Sequence, residues 1–385
     1  PDHELCSFVT EGTASSSEAV GLVMVLGPHL QSLAPAFSAV EAALADAVRA
    51  QICDNVDLSV AMFAFVPGYS IPQGTAAKKD GSDRRTSDYG HPRKPTTPRV
   101  TAINVAIRTA GYPKERKPTN GELAHDVAVL RLAADLWGED LFLLSEDFKG
   151  WFNQFAVHPS EWFKQTFLWL RRSTTGQPIP SWLVEYVMGF GMSSSSGIAQ
   201  RFSDALLWLL LRRFDASEGA LLDAETDPVR RAYLDARARL GPGQALLWAA
   251  RCFTDDSAFA VVGAARTVRF IITWGGLLAE VGVVTKLIKR QAGCCIYWNG
   301  AYTNAFLANQ TIPSDKALRA CRILTDVATG TPVVFSVYRK VMGLVTHIRG
   351  ILRWRRMTTY GMFRPFAHGL RHPAAPIVTN PDLLT

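Results

Sequence analysis

The sequence predicts an α+β protein, and three observations carry that expectation. Apolar residues recur at helical spacing in residues 38–50, 123–137 and 198–210. A short continuous apolar run, Leu141 to Leu144, reads as a buried strand. Two apolar runs around a polar turn, from Ala250 to Val262, read as a β-hairpin. The chain has 385 residues, 48% of them apolar and 19% charged, so it can bury a substantial core; a disordered tail and a disulfide-stapled miniprotein are excluded. At roughly 100–200 residues per domain, this length suggests two or three lobes.

Residues up to about Ala50 read as helical and offer no chemistry. Pro67 to Pro98 is rich in Gly, Pro, Ser, Lys and Arg, and reads as a loop-dominated divider. The helix expected over 123–137 carries Leu123, Val127, Leu130 and Ala134 on one face. The strand after it ends in Ser145-Glu146-Asp147, and a carboxylate at the end of a buried strand is where sites are commonly built. Ser194 to Ser196 are expected to cap a helix whose apolar face is Ile198, Phe202, Ala205, Leu206, Leu209 and Leu210. Residues 215–243 are charged, end in Gly-Pro-Gly and read as an inserted surface helix and loop.

Charge is unevenly spread. Lys78 to Lys117 holds eleven Lys/Arg against four acids, and Val327 to Pro381 holds eight Lys/Arg and no acid. The net charge of +7 leaves −8 for the rest, so two basic segments flank an acidic centre. A phosphate-gripping protein with a metal-binding middle needs that pattern; two solvated basic faces are the competing explanation. Six cysteines (Cys6, Cys53, Cys252, Cys294, Cys295 and Cys321) form no CxxC pair, which fits a reducing, intracellular compartment, cytoplasm or nucleus, and no structural zinc. No apolar run reaches the roughly 20 residues that span a bilayer. The chain begins with Pro1 and lacks a signal-peptide pattern, and it reads as an internal piece of something longer.

The hairpin turn displays Asp255 and Asp256, and Asp147 ends another strand. Three carboxylates gathered by one sheet suit Mg²⁺, which works with one or two carboxylates plus substrate phosphates. A solvated Asp-Asp turn is the alternative.

Four segments resemble the reverse transcriptases, in that family's order. Phe253-Thr-Asp-Asp256 resembles the Tyr-x-Asp-Asp hairpin, and Asp147-Phe-Lys-Gly-Trp-Phe-Asn-Gln-Phe-Ala-Val-His-Pro159 resembles the first palm motif. Phe190-Gly-Met-Ser-Ser-Ser-Ser-Gly-Ile-Ala-Gln-Arg-Phe202 resembles the second, and Lys78-Lys-Asp-Gly-Ser-Asp-Arg-Arg-Thr-Ser-Asp-Tyr89 resembles a fingers segment. Trp298-Asn-Gly300 is similar to the primer-grip turn. Ile312-Pro-Ser-Asp-Lys316 and the basic stretch after it are similar to the thumb of long-terminal-repeat and DIRS-type retrotransposons. The likeness covers about residues 60–365.

It implies a right-hand polymerase fold, with an unassigned extension over 1–60, fingers over 61–130, palm over 131–300 and thumb over 301–385. It also implies an RNA-directed DNA polymerase whose partners are an RNA or DNA template, a primer and deoxynucleotides, with two Mg²⁺ ions, or Mn²⁺, as cofactors. By position, Asp147, Asp255, Asp256 and the carbonyl of Phe148 are implied metal ligands. Lys289 is implied to protonate the pyrophosphate, with Lys286 as the other candidate. Lys78, Arg84, Phe190 and Gly191 are implied to meet the incoming nucleotide, with Gln200 supporting the loop. Phe152 stands at the aromatic steric gate, where RNA-copying RNA polymerases carry an aspartate, so deoxynucleotides are expected over ribonucleotides. His347, His368 and His372 are expected on the nucleic-acid surface.

Phe253, Ser196, Gly90 and the 215–243 insert depart from the family pattern. No later segment resembles a ribonuclease H or integrase domain. A decayed nucleic-acid-binding remnant and an RNA-dependent RNA polymerase are the competing functions.

Overall fold

A computed structural model describes residues 25–26, 31–56, 69–77, 83–93, 102–107, 115–172, 175–239, 247–329, 333–352 and 376–377. In chain order its main elements begin with helix α1 (Phe37–Arg49), strands β1 (Cys53–Val56), β2 (Gln73–Ala77) and β3 (Asp83–Ser87), and helix α2 (Asn120–Trp137). Strands β4 (Leu141–Asp147), β5 (Thr166–Arg172) and β6 (Pro178–Glu185) follow, then helices α3 (Ser195–Asp223) and α4 (Pro228–Ala238). Next come strands β7 (Trp248–Phe253) and β8 (Asp256–Val262), helix α5 (Ala264–Glu280), and strands β9 (Gln291–Gly293), β10 (Cys295–Trp298), β11 (Ala301–Asn304) and β12 (Asn309–Thr311). Helices α6 (Ser314–Ala328) and α7 (Phe335–Leu352) complete the set. The chain divides into two compact units, one of residues 1–116 and 149–205, the other of 117–148 and 206–385.

In the first unit β1, β6 and β5 form an antiparallel sheet, and β2 and β3 an antiparallel hairpin. Val40 and Leu44 of α1 share an apolar core with Cys53, Ile71, Tyr89, Phe167, Leu183 and Met192. The segment expected to be loop-dominated thus contributes a strand pair. The start of β2 is buried, and Gln73 there is satisfied by Arg85 and Ser87.

The second unit is built on a four-stranded sheet in the order β9-β4-β8-β7, whose pairings are all antiparallel. Helix α2 starts three residues earlier than its apolar face suggested, because Thr119 and Glu122 close a capping box; it ends at Gly138 in the left-handed conformation at φ +63°. Strand β4 runs through Ser145, Glu146 and Asp147, the end expected of it, and all three are buried. Polar residues extend a buried strand only where partners satisfy them. Helix α5 lays Phe270 and Trp274 against Phe259 of β8, with ring centroids 5.2 and 5.3 Å apart.

The 215–243 expectation is corrected in part. Residues 215–223 are the last turns of α3, and the Glu218 carboxylate there is fully buried between Arg266 and Arg269. Asp227 caps α4, its Oδ1 accepting from Val229 and Arg230 N–H at 2.9 Å, and Leu234 of α4 is buried. Apart from Glu218 the charge here is largely on the surface as expected, with Asp223 83% and Asp235 47% exposed. Helix α3 begins within the expected serine run, at Ser195; Ser195 Oγ donates to the Gly189 carbonyl at 2.9 Å, and the buried Ser194 Oγ makes no hydrogen bond.

Candidate active site

Strand pairing brings the acids of the second unit together. Asp147, the last residue of β4, lies opposite Asp256, the first of β8, while Asp256 is also paired with Phe253 across the two-residue turn Thr254–Asp255. Thr254 takes a left-handed φ of +59°, a conformation a β-branched residue adopts only under constraint. The constraint is visible: Thr254 is buried, Cys252 Sγ lies 3.6 Å from its carbonyl, and Ser257 Oγ donates to Cys252 Sγ at 3.5 Å. Phe148 N–H donates to the Asp255 carbonyl at 3.0 Å, tying the end of β4 to the turn.

Burial, then repulsion from Asp256 and Asp147, pushes the Asp255 carboxyl up to about 6. Asp256 is raised as well, by burial and then by Asp147. Asp255 and Asp256, both raised, form with Asp147 a carboxylate set whose charge a divalent cation would offset, so their chemistry suits the implied ions. Among the described residues no group of three or more His, Cys, Asp or Glu side chains is placed to hold a metal ion. Mg²⁺ does not require one, because it retains waters and takes its remaining ligands from phosphate.

Of the two candidate lysines, Lys289 donates through its ammonium to Asp147 Oδ2, whereas Lys286 offers its backbone N–H to the Asp147 carbonyl at 2.7 Å. The carboxylate neighbours raise the Lys289 pKa against the opposing effect of burial.

The 298–300 turn also belongs to this unit. Trp298 pairs with Ala301, and Asn299 and Gly300 between them have φ of +43° and +86°, as a two-residue type I′ hairpin turn needs. Trp298 is buried, its indole Nε1–H reaches the Asp256 carbonyl, and Asn120 Nδ2 donates to the Asn299 carbonyl at 3.0 Å. Lys117 Nζ lies 5.1 Å from the Phe253 ring centroid.

Other implied site residues lie in the first unit. The rings of Phe152 and Phe190 meet edge to face with centroids 5.4 Å apart, and Phe190 is 46% exposed. Its glycine neighbours explain how it is presented. A Cβ on Gly189 would stand 1.8 Å from the Tyr89 hydroxyl oxygen, and one on Gly191 (φ +113°) would stand 2.8 Å from the Ser87 carbonyl. Asn104 brackets the loop, its Nδ2 donating to the Gly191 carbonyl at 3.0 Å and its Oδ1 accepting from Ser193 N–H at 2.8 Å. Gln200 is buried in α3 and donates to Asp204 Oδ1 at 2.9 Å.

Arg84 lies in β3, and its side chain is outside the described part, as is that of His347. Lys78, His368 and His372 lie outside the described residues. Sequence reasoning missed Glu146, Trp274 and Arg290, which interlock behind Asp147. The adjacent acids Glu146-Asp147 and adjacent bases Lys289-Arg290 were the available signal.

This architecture is the reverse-transcriptase fold. The chain is similar to the foamy viral protease-reverse transcriptase dRH in complex with double-stranded DNA (TM-score 0.54, 12% identity, 96% of this chain and 48% of that one). It is likewise similar to the foamy viral protease-reverse transcriptase in complex with double-stranded DNA (TM-score 0.55, 12% identity, 96% of this chain and 57% of that one). The chain therefore spans about half the length of these proteins. No family model matches the sequence, and no curated protein matches it. Among the described residues no helix is long and apolar enough to cross a membrane.

Proposed function

We propose that this chain is an RNA-directed DNA polymerase of a retroelement, of the long-terminal-repeat or DIRS type, with fingers over 61–130, palm over 131–300 and thumb over 301–385. The observation that carries this reading is the pairing of Asp147 with Asp256 beside the Asp255 turn, with the Lys289 ammonium on Asp147. The likeness to reverse-transcriptase structures bound to double-stranded DNA supports a primer–template partner.

Asp147, Asp255, Asp256 and the Phe148 carbonyl would hold Mg²⁺ or Mn²⁺. When bound, two such ions supply positive charge to the attacking and leaving oxygens. The primer 3′-hydroxyl oxygen bonds to the α-phosphorus while the bond to pyrophosphate breaks. The hydroxyl proton passes to solvent, and Lys289 gives a proton to the departing pyrophosphate. Lys78 and Arg84 hold the triphosphate, arginine through its planar fork and lysine as a point charge. Phe152, backed by Phe190 beside Gly191, excludes a ribose 2′-hydroxyl; the edge-to-face ring pair supports that role, and with it DNA rather than RNA as product. The Trp298–Gly300 turn holds the primer end.

The test is primer extension on an RNA template, comparing deoxy- with ribonucleotides, Mg²⁺ with EDTA, and wild type with Asp255→Asn. Deoxynucleotide extension that vanishes with EDTA and with the variant is the expected result. Salt-sensitive binding of primer–template without extension would instead favour a decayed nucleic-acid-binding remnant.

A further inference from the structure

Two adjacent acids on β4 meet two adjacent bases on the segment that follows α5. A strand sends successive side chains to opposite faces. Asp147 accordingly faces Lys289, and Glu146 turns to the side of α5, where it is 4% exposed. There one carboxylate oxygen accepts from Trp274 Nε1–H at 2.7 Å and the other from Arg290 Nε–H at 2.8 Å, with a further bond from Arg290 Nη2. The 285–291 segment is laid along the end of β4 by the Phe148–Thr285 bridge, the Lys286 N–H to Asp147, and a 3.1 Å bond from Gln291 Nε2 to Ser145 Oγ.

Lys289 and Arg290 are both half exposed, at 53% and 52%, and Lys289 carries its ammonium on a flexible four-carbon stem. Its own packing does not fix where the ammonium sits; the backbone it leaves from must do so. Arg290 is the next residue, and two nitrogens of its planar guanidinium, Nε and Nη2, converge on the single oxygen Oε1 of Glu146, whose other oxygen is held by Trp274. Only the carboxylate side of this pair is buried, the Glu146 side chain 5% exposed against 52% for Arg290, and the attested use of such a pair is to fix register rather than to add stability.

We propose that Arg290, clamped on Glu146, is a positioning residue that sets the backbone from which Lys289 reaches Asp147. Its catalytic consequence rests on the polymerase reading above; the placement of Lys289 does not.

Two measurements on the same proteins test it. The first is single-turnover extension by wild type, Arg290→Gln, Lys289→Gln and the double variant. The second is acylation of Lys289 by an amine-reactive ester at one fixed pH, without nucleic acid, read by peptide mass spectrometry. Arg290→Gln is expected to slow extension about 10- to 100-fold, the usual cost of misplacing a reacting group by about an ångström. The apparent affinity for the deoxynucleotide should stay within about threefold, and in the Lys289→Gln background the arginine change should add less than about threefold. Lys289 should acylate faster in Arg290→Gln than in wild type.

Multiplying rate losses, or Lys289 acylation unchanged by Arg290→Gln, would overturn the proposal. If wild type extends nothing while Arg290→Gln still unmasks Lys289, the polymerase reading fails and the positioning role stands. Should Arg290→Gln not fold, the isosteric Glu146→Gln weakens the same clamp from its other side and carries both comparisons.

Discussion

The indole Nε1–H of Trp298 donates to the main-chain carbonyl of Asp256 at 2.9 Å. A residue of the β10–β11 turn thus holds the backbone of the acidic hairpin, so the proposed primer grip and the proposed metal ligands share one hydrogen bond. Trp298→Phe keeps most of the buried ring and removes only the donor. The expected outcome is a roughly tenfold slower single-turnover extension, worth about 1.4 kcal/mol, comparable to one such bond. Nucleotide affinity should be unchanged, and rapid-quench kinetics on a primer with a fixed 3′ end checks both quantities.

Asp255 predicts a stability cost tied to pH. Its folded pKa of about 6 lies above the ordinary 3.8, so the folded protein binds this proton more tightly than the unfolded chain. Stability therefore falls as pH rises through that window, and the deficit is fully present at neutral pH. Asp255→Asn should raise the stability of the metal-free protein at pH 7 by on the order of 1–3 kcal/mol while abolishing extension, with little change near pH 4. Thermal unfolding at the two pH values decides it. Added Mg²⁺ should raise the wild-type midpoint more than that of the variant.

Phe152 and Phe190 predict sugar selection. Phe152→Val removes the ring that Phe190 meets edge-on. Ribonucleotide incorporation relative to deoxynucleotide is expected to rise about 10- to 100-fold, within the range that a change of steric fit in a pocket supplies. Competing-nucleotide extension measures the ratio, and unaltered discrimination would place Phe152 in the core instead.

Gly189 predicts overpacking. An alanine there drives its methyl into the fully buried Tyr89, whose Cζ would be 2.2 Å away and whose hydroxyl donates to Gln165 at 2.6 Å. Gly189→Ala should cost about 1–3 kcal/mol, seen as a lower urea midpoint at unchanged slope. Tyr89→Phe should not rescue it, because the ring carbon remains in the way.

What was readable in the sequence follows from how local each signal is. The Ala250–Val262 hairpin and its acids were legible because apolar runs flank a polar turn within a dozen residues. The start of α2 was missed by three residues because the capping box signals through Thr119 and Glu122, not through hydrophobicity. The end of β4 at Asp147 was legible, but the burial of Glu146 was not, because its partner Arg290 stands 144 residues away, a distance no periodicity reports. Glu218 misled for the same reason: its charge reads as surface until Arg266 and Arg269 are seen around it. Gly191 was legible as a site for close backbone approach, but that the approaching atom is the Ser87 carbonyl was not.

Because Asp147 and Asp256 face each other across a strand ladder, their meeting depends on alignment within β4 and β8 and on nothing in between. A single residue added inside either strand would turn the acids away from each other. The intervening chain does not enter that alignment. Natural variation of this chain should therefore be confined to substitution in the two strands.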